Sequence, residues 1–356
     1  MNFQLPFNAL GPIHHYRIQM TDALHIQHQK TLAALHQCYG FTLAMSADVL
    51  QPFMQMMHLS ELKSSFELEG QSVAYARIFE AHCSAAKTTD KTIQQINAFK
   101  LSLQADQGLK DLEPEFLRTQ QKTADLYRNK SDQKIVSYYT NLCLYTPPTA
   151  ANVLDKLKAD LHQHLLDPVS LTTLQQHCIS HFQLRALAPF ISHNGALARQ
   201  YAIMALSGLG LSFSTLPLSA CIYHEREIYN SHIRQGVVNQ QLDQWFALYL
   251  TVLEQSAIHL QHCLQQYLML RKSVAEQIGK YIDYVLPTEA LVKVLFEQPY
   301  ISTQHVCKGL NCHRHTAYLY LEHLCKMGIL IPKKAGRETL YWHKAYFDLL
   351  VSEPLQ

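Results

Sequence analysis

No stretch of this sequence offers the roughly 20 consecutive apolar residues that a membrane-spanning helix needs. The uncharged run Tyr201 to Tyr223 is long enough to raise the question, but Gly208, Gly210, Ser212, Ser214, Thr215 and Pro217 interrupt it. It reads as a buried helix, a loop and the start of another helix, so no membrane partner is expected. The amino terminus lacks the basic-then-apolar form of a secretory signal. Glycine is scarce, 12 of 356 residues, which disfavours long loops. Charge is scarce too: 16% of residues, with a net charge of +2 when the 21 histidines are neutral. Composition therefore gives no whole-chain argument for a nucleic-acid or membrane partner, and any electrostatic site must be local. Nine cysteines form an odd, unpaired set, which suits a reducing cytoplasm better than a disulfide scaffold.

Metal spacing is missing as well. Cys312-His313-x-His315 has the right residue types, yet Cys307 and Cys312 are too far apart for a zinc pair. His162-x-His164 and His14-His15 stand alone on helical or terminal segments, so no metal site is expected.

What is present is mostly helical. Apolar residues recur at three- and four-residue spacing with Gln, Lys and Glu between them. Trp245, Tyr249, Val252, Leu260, Leu264 and Tyr267 mark one long helix ending near Arg271; Val153, Leu157, Leu161 and Leu165 mark another. Ile135 to Leu144, inside the segment Ser131 to Thr146, is rich in Tyr, Val and Thr and predicts a short hairpin. Tyr138 and Tyr139 are read there as packing residues. Around Pro287 the helices shorten. Thr288 to Gln298 is expected as one helix, and Gln304 to Gly309, capped by Ser302 or Thr303, as a second. After a turn at Gly309 to Cys312, Arg314 to Met327 forms a third helix, stopped by Gly328. Strands at Ile329 to Ile331 and Thr339 to Trp342 then flank a basic turn. Helix-turn-helix followed by a two-stranded wing predicts a winged helix. The expected division is an N-terminal helical region 1–110, a central domain 111–285 and the winged-helix domain 287–350.

The most informative segment runs from Leu187 to Arg199. Asn194-Gly195 is a turn pair placing a helix start just beyond it, and Arg199 sits about one turn further on. Backbone N–H groups at a helix start bind anions, so the segment has the frame of a phosphate-binding loop. It contains no acid for a metal.

That frame resembles the signature HPFx[DE]GNGRxxR of the Fic (Fic/DOC) family. Ala188 lies at the place of the signature histidine, Ser192 at that of the acid, His193 at a glycine and Ala196 at the first arginine; Pro189, Phe190, Asn194, Gly195 and Arg199 match. Upstream, His181-Phe182-Gln183 resembles the family's His-Tyr-Gln lead-in, while Leu184 and Arg185 depart from its Phe-Glu. Tyr145 to Pro148, Leu216 to Ser219, Tyr229 and Trp245 fit further segments, and residues from about 55 to 350 follow the long members of the family. Ser65-Phe66-Glu67-Leu68-Glu69-Gly70 resembles the family's inhibitory motif [ST]xxxE[GN], with Glu61 as its lead-in glutamate.

The resemblance implies a mainly α Fic-fold helical bundle with a β-hairpin flap and a C-terminal winged helix-turn-helix. It implies AMP transfer from ATP to a hydroxyl on a target protein, with the histidine as base, the acid holding magnesium and the arginines steadying phosphates. It also implies that Ser65, Glu69 and Gly70 form a gate in which Glu69 pairs with Arg199 and blocks the γ-phosphate. Here the base is replaced by Ala188, and losing a general base costs about 10²–10⁴ in rate. Ser192 is a poor ligand for magnesium, which prefers carboxylate oxygen. His193, five positions past Ala188, reads as a polar turn residue rather than a substitute base. The expectation is a catalytically silent nucleotide-binding or DNA-binding regulator in the cytoplasm. ATP is its expected ligand on Asn194, Gly195 and Arg199, without magnesium. The alternative is an adenylyltransferase of weak or altered activity, so whether the chain is an enzyme stays open. DNA is expected at His313, Arg314, His315, Thr316, Lys333, Lys334 and Arg337, with Lys308 and Lys326 nearby, and a protein partner at the flap. Leu319, Leu324, Val306 and Leu310 are expected as core. A homodimer is left open.

Overall fold

The computed structural model describes residues 10–83, 89–105, 127, 134–137, 139–148, 151–166, 172–281, 286–335 and 338–354. Arg337, Tyr138 and the Ser131 end of the flap segment lie outside the described residues, as does the side chain of Leu165.

The chain is mainly helical. Four helices come first: α1 Asp22–Leu43, α2 Ala47–Glu67, α3 Tyr75–Cys83 and α4 Lys91–Ala105. A hairpin of β1 Ile135–Val136 and antiparallel β2 Cys143–Tyr145 follows, at the place expected for the flap. The central helices are α5 Ala151–Leu166, α6 Leu174–Leu187, α7 Asn194–Ala205, α8 Leu218–His224, α9 Arg226–Asn239 and α10 Asp243–Gly279. The run Tyr201 to Tyr223 is the tail of α7, a short 3₁₀ turn at Leu206–Leu209, a loop and the start of α8. No described helix is long and apolar enough to cross a membrane.

Helix α10 is the axis of the molecule. Its 37 residues make a rod about 55 Å long at 1.5 Å per residue. It continues past Arg271, where the sequence reading stopped it, because Val274 and Ile278 remain buried at four-residue spacing and Gly279 is the first breaker. Near its start, Trp245 packs on Phe182 of α6 and Tyr229 of α9, with ring centroids 5.6 and 4.9 Å apart. Near its end, Tyr267 meets Phe53 of α2 at 4.6 Å and Phe296 at 5.5 Å. One helix thus supplies core to both the central and the C-terminal parts. Along its flank lies α1, whose Thr31 hydroxyl donates to the Leu250 carbonyl at 3.2 Å.

Beyond Pro287 come α11 Thr288–Leu295, β3 Tyr300–Ser302, α12 Thr303–Leu310, α13 Arg314–Lys326, β4 Ile331–Ala335, β5 Glu338–Trp342 and α14 Lys344–Leu350. The three strands form an antiparallel sheet in the order β3-β5-β4. Strand β3 was not expected; three residues carry too little alternation to be seen in sequence. Helix α11 ends at Leu295 rather than Gln298, because Phe296 turns into the aromatic core with Tyr267, Tyr346 and His343. The side chain of Ser302 caps α12, accepting from the His305 N–H at 3.1 Å. Val306 and Leu324 are buried as expected, whereas Leu310 and Leu319 are only half-buried.

Candidate functional site

The Leu187 to Arg199 segment joins α6 to α7. Helix α6 is started by a capping box between Thr173 and Gln176 and ends as Ala188 swings into the left-handed region at φ 42°. His193, just before α7, is left-handed too at φ 55°. Such a backbone costs an ordinary residue about 1–2 kcal/mol. The turn between them is closed by Asn194. Its side-chain amide donates to the Phe190 carbonyl at 2.8 Å, and its oxygen accepts the Phe190 N–H at 2.8 Å. Ala188 is 2% exposed, so its methyl is part of the loop's apolar floor.

The end of α2 lies across this loop. The Gln71 N–H donates to the Phe66 carbonyl at 3.0 Å and the Gly70 N–H to the Glu67 carbonyl at 2.9 Å. With Gly70 at φ 79°, these bonds make a Schellman close. That turn sends Glu69 towards the start of α7. There the Arg199 guanidinium, 1% exposed, donates from Nη2 to Glu69 Oε1 at 3.3 Å and to the Ser65 carbonyl at 2.7 Å, and from Nε to Ser65 Oγ at 3.1 Å. A carboxylate at a helix C-terminus is electrostatically disfavoured, and one at a helix N-terminus favoured. Glu69 occupies both positions at once, leaving α2 and facing α7. A Cβ on Gly195 would fall 1.9 Å from Glu69 Oε1, so only glycine lets the carboxylate settle there. Glu61, one turn before Ser65, is fully buried and accepts from the Ser219 N–H at the start of α8 at 2.9 and 3.0 Å, and from the Ser219 hydroxyl. Burial pushes its carboxyl up to about 8 against these donors.

Under α7 runs a directed hydrogen-bond chain. A carbonyl only accepts, so His181 Nδ1 carries the proton given to Ala198 O at 3.1 Å. His181 Nε2 then accepts from the Tyr229 hydroxyl at 2.9 Å. The positive charge of Arg185, in the last turn of α6, favours the ionised form of the Tyr229 hydroxyl, against the larger effect of burial. Burial pushes the His181 ring down to about 3 and raises the Tyr229 hydroxyl, so both are neutral.

This donor set decides the chemistry. Alanine at 188 accepts no proton. His193 lies with its ring 5.2 Å from Phe66 and its Nδ1 2.9 Å from Ser192 Oγ; burial lowers its basicity, with Glu69 acting the other way. Ser192 is thereby held by its neighbour, and Glu69, the carboxylate over the loop, is committed to Arg199. The residues present do not fit a magnesium ion, and among the described residues no three metal-ligating side chains cluster. The start of α7 and Arg199 are met by the chain's own carboxylate, Glu69.

In the C-terminal part, His313, Arg314 and His315 are exposed at the start of α13 and Thr316 is half-buried. Arg314, His315 and Tyr318 share a groove of about 800 Å³ with Thr339 and Glu338 of β5. Lys334 pairs in register with Thr339, so both side chains stand on that face of the hairpin. Lys333, on the opposite face, instead makes an ion pair with Glu80 of α3. Lys308 and Lys326 are exposed.

Known proteins share this architecture. Residues 270–346 match the family model described as the C-terminal domain of the SoFic-like protein adenylyltransferases. A crystal structure of a Fic family protein from Desulfovibrio desulfuricans G20 superposes with a TM-score of 0.53 at 15% identity, covering 92% of this chain and 99% of that one. Fic-1 (residues 134–508) from C. elegans matches at 18% identity over 70% of this chain and 74% of that one, with a TM-score of 0.49. The likeness is one of fold: this chain has the fold of Fic family proteins.

The Schellman close yields a direct expectation. No neighbour lies within 4 Å of a Cβ built on Gly70, so Gly70→Ala meets only the left-handed backbone. We expect a loss of about 1 kcal/mol in urea unfolding. An unchanged midpoint would mean that this turn does not constrain Glu69.

Proposed function

We propose that this Fic-fold chain is a regulatory protein without AMP-transferase activity, whose phosphate pocket is kept shut by its own Glu69. The observation that carries this reading is the pairing of two features in one loop. Alanine stands in the base position at 188, and Glu69 rests on Gly195 while bonded to Arg199. The first leaves no group to activate a hydroxyl. The second keeps a negative charge where a nucleotide's phosphate would bind. ATP is the ligand such a pocket takes once Glu69 withdraws, held by the α7 N-terminus and Arg199 without a metal.

The C-terminal part is read as a winged helix that binds duplex DNA. Its element order supports this, with α12 and α13 as the helix-turn-helix and β4–β5 as the wing. On this reading Arg314 and the flanking His313, His315 and Thr316, at the start of α13, reach base edges. Lys334 serves the phosphates, while Lys333 is spent on Glu80.

Two measurements test the two halves. In calorimetry without magnesium, Glu69→Gly should raise ATP affinity by about tenfold or more, the equivalent of about 1.4 kcal/mol, and Arg199→Ala in that background should remove the gain. An affinity that stays level in Glu69→Gly contradicts the latch. In a mobility-shift titration, wild type should bind duplex DNA with strong salt dependence. Arg314→Ala should weaken binding by about 1–3 kcal/mol. Failure to bind DNA at low salt removes that assignment.

A further inference from the structure

The outer face of α13 carries a large ring that the core leaves unused. Ala317, Leu321 and Leu324 turn inwards at three- and four-residue spacing. Arg314 and Tyr318, one turn apart, face outwards, and Tyr318 is 44% exposed. Both line the groove of about 800 Å³ between α13 and β5, together with Thr339. The hydroxyl of Tyr318 is already committed: it donates to Glu322 Oε1, one turn further on, at 2.5 Å. With its proton given away, it has none to offer the acceptors that guanine, adenine and thymine present in the major groove. What remains is the ring, an apolar surface. Glu322 holds the hydroxyl and Glu338 lines the groove, and both carboxylates repel phosphate, which leaves base edges for the ring to meet.

On the DNA-binding reading of the C-terminal part, on which this rests, we propose that Tyr318 determines specificity by packing its ring on the C5-methyl group of a pyrimidine. That methyl is the apolar group of the major groove. Thymine and 5-methylcytosine carry it; uracil and unmodified cytosine lack it. Arg314 holds donors only and suits the O6 and N7 acceptors of guanine. Four residues at 1.5 Å each separate the two positions by about 6 Å along the helix, roughly two base-pair steps of 3.4 Å. The site read by α13 therefore pairs a guanine with a C5-methylated pyrimidine about two base pairs away. One residue supplies charge-assisted hydrogen bonds and the other an apolar contact, and neither replaces the other.

The test is a selection of duplexes from a randomised pool by the full-length protein at low salt, followed by anisotropy titrations of the selected duplex. Thymines are replaced one at a time by uracil, which removes only the methyl, and cytosines by 5-methylcytosine, which adds it. Wild type should lose about fourfold in affinity at one thymine-to-uracil exchange, or gain about fourfold at one cytosine methylation, the worth of one buried methyl. Thymine dependence points to ordinary DNA and cytosine dependence to methylated DNA, and either supports the contact of ring with methyl. Tyr318→Phe should keep the discrimination because the ring is kept, whereas Tyr318→Ala, with wild-type circular dichroism, should bind the paired duplexes equally. Arg314→Ala should weaken both and leave their ratio unchanged. Wild type that treats the duplexes alike at every position, or a ratio that survives Tyr318→Ala, overturns the proposal. Duplex binding without methyl dependence leaves the DNA-binding reading standing; no duplex binding at low salt removes both.

Discussion

A single ion pair, Glu69 with Arg199 across the Cα of Gly195, organises the centre of this protein. Arg199 is almost completely buried, and a buried guanidinium without a partner would be strongly destabilising. The partners of its guanidinium come from α2 and the turn that closes it: the Ser65 carbonyl and hydroxyl and the Glu69 carboxylate. Removing one side would leave the other charge exposed to a low-dielectric interior, so α2 and α7 are coupled through this contact. Other features follow from it. Gly70 aims Glu69, Gly195 makes room for it, and the N-terminus of α7 favours it while the C-terminus of α2 does not. Ser60 of the same α2 donates to the Leu350 carbonyl at 2.9 Å, and Glu80 of the next helix holds Lys333, so the C-terminal part is tied to the helices flanking the latch.

Much of the fold could be read from the sequence because helical periodicity is dense and glycine scarce. The long helix, the helix after Pro147-Pro148, the hairpin, and the helix-turn-helix and strand pair after Pro287 all announced themselves; β3 and α14 did not, and β4 runs on through Lys333 and Lys334, where a turn is expected. What escaped notice did so for physical reasons. Strand β3 is three residues long and exists because β5 offers it an edge, which is tertiary information. The extent of α10 beyond Arg271 depends on Val274 and Ile278 finding partners in the C-terminal part. The early end of α11 depends on Phe296 being drawn into an aromatic cluster.

The site was legible where a motif carried it and silent where geometry decided. Ser65, Glu69, Gly70, Asn194, Gly195 and Arg199 were singled out from pattern, and the structure brings them together. The left-handed backbone at Ala188 has no sequence signature, since alanine does not favour it; His193 is of a type enriched there, but that enrichment is too weak to mark one position. Lys333 and Lys334 look alike in sequence; strand alternation sends them to opposite faces, Lys333 to Glu80 and Lys334 to the face it shares with Thr339.

The central claim is that this pocket holds a polyphosphate without cleaving it. The most direct measurement is to incubate full-length Glu69→Gly, with its latch open, with magnesium and ATP labelled on the α-phosphate, beside soluble cell proteins. The account predicts no label on the chain itself or on any other protein above the level given by Arg199→Ala. Steady, Arg199-dependent transfer of AMP would contradict it.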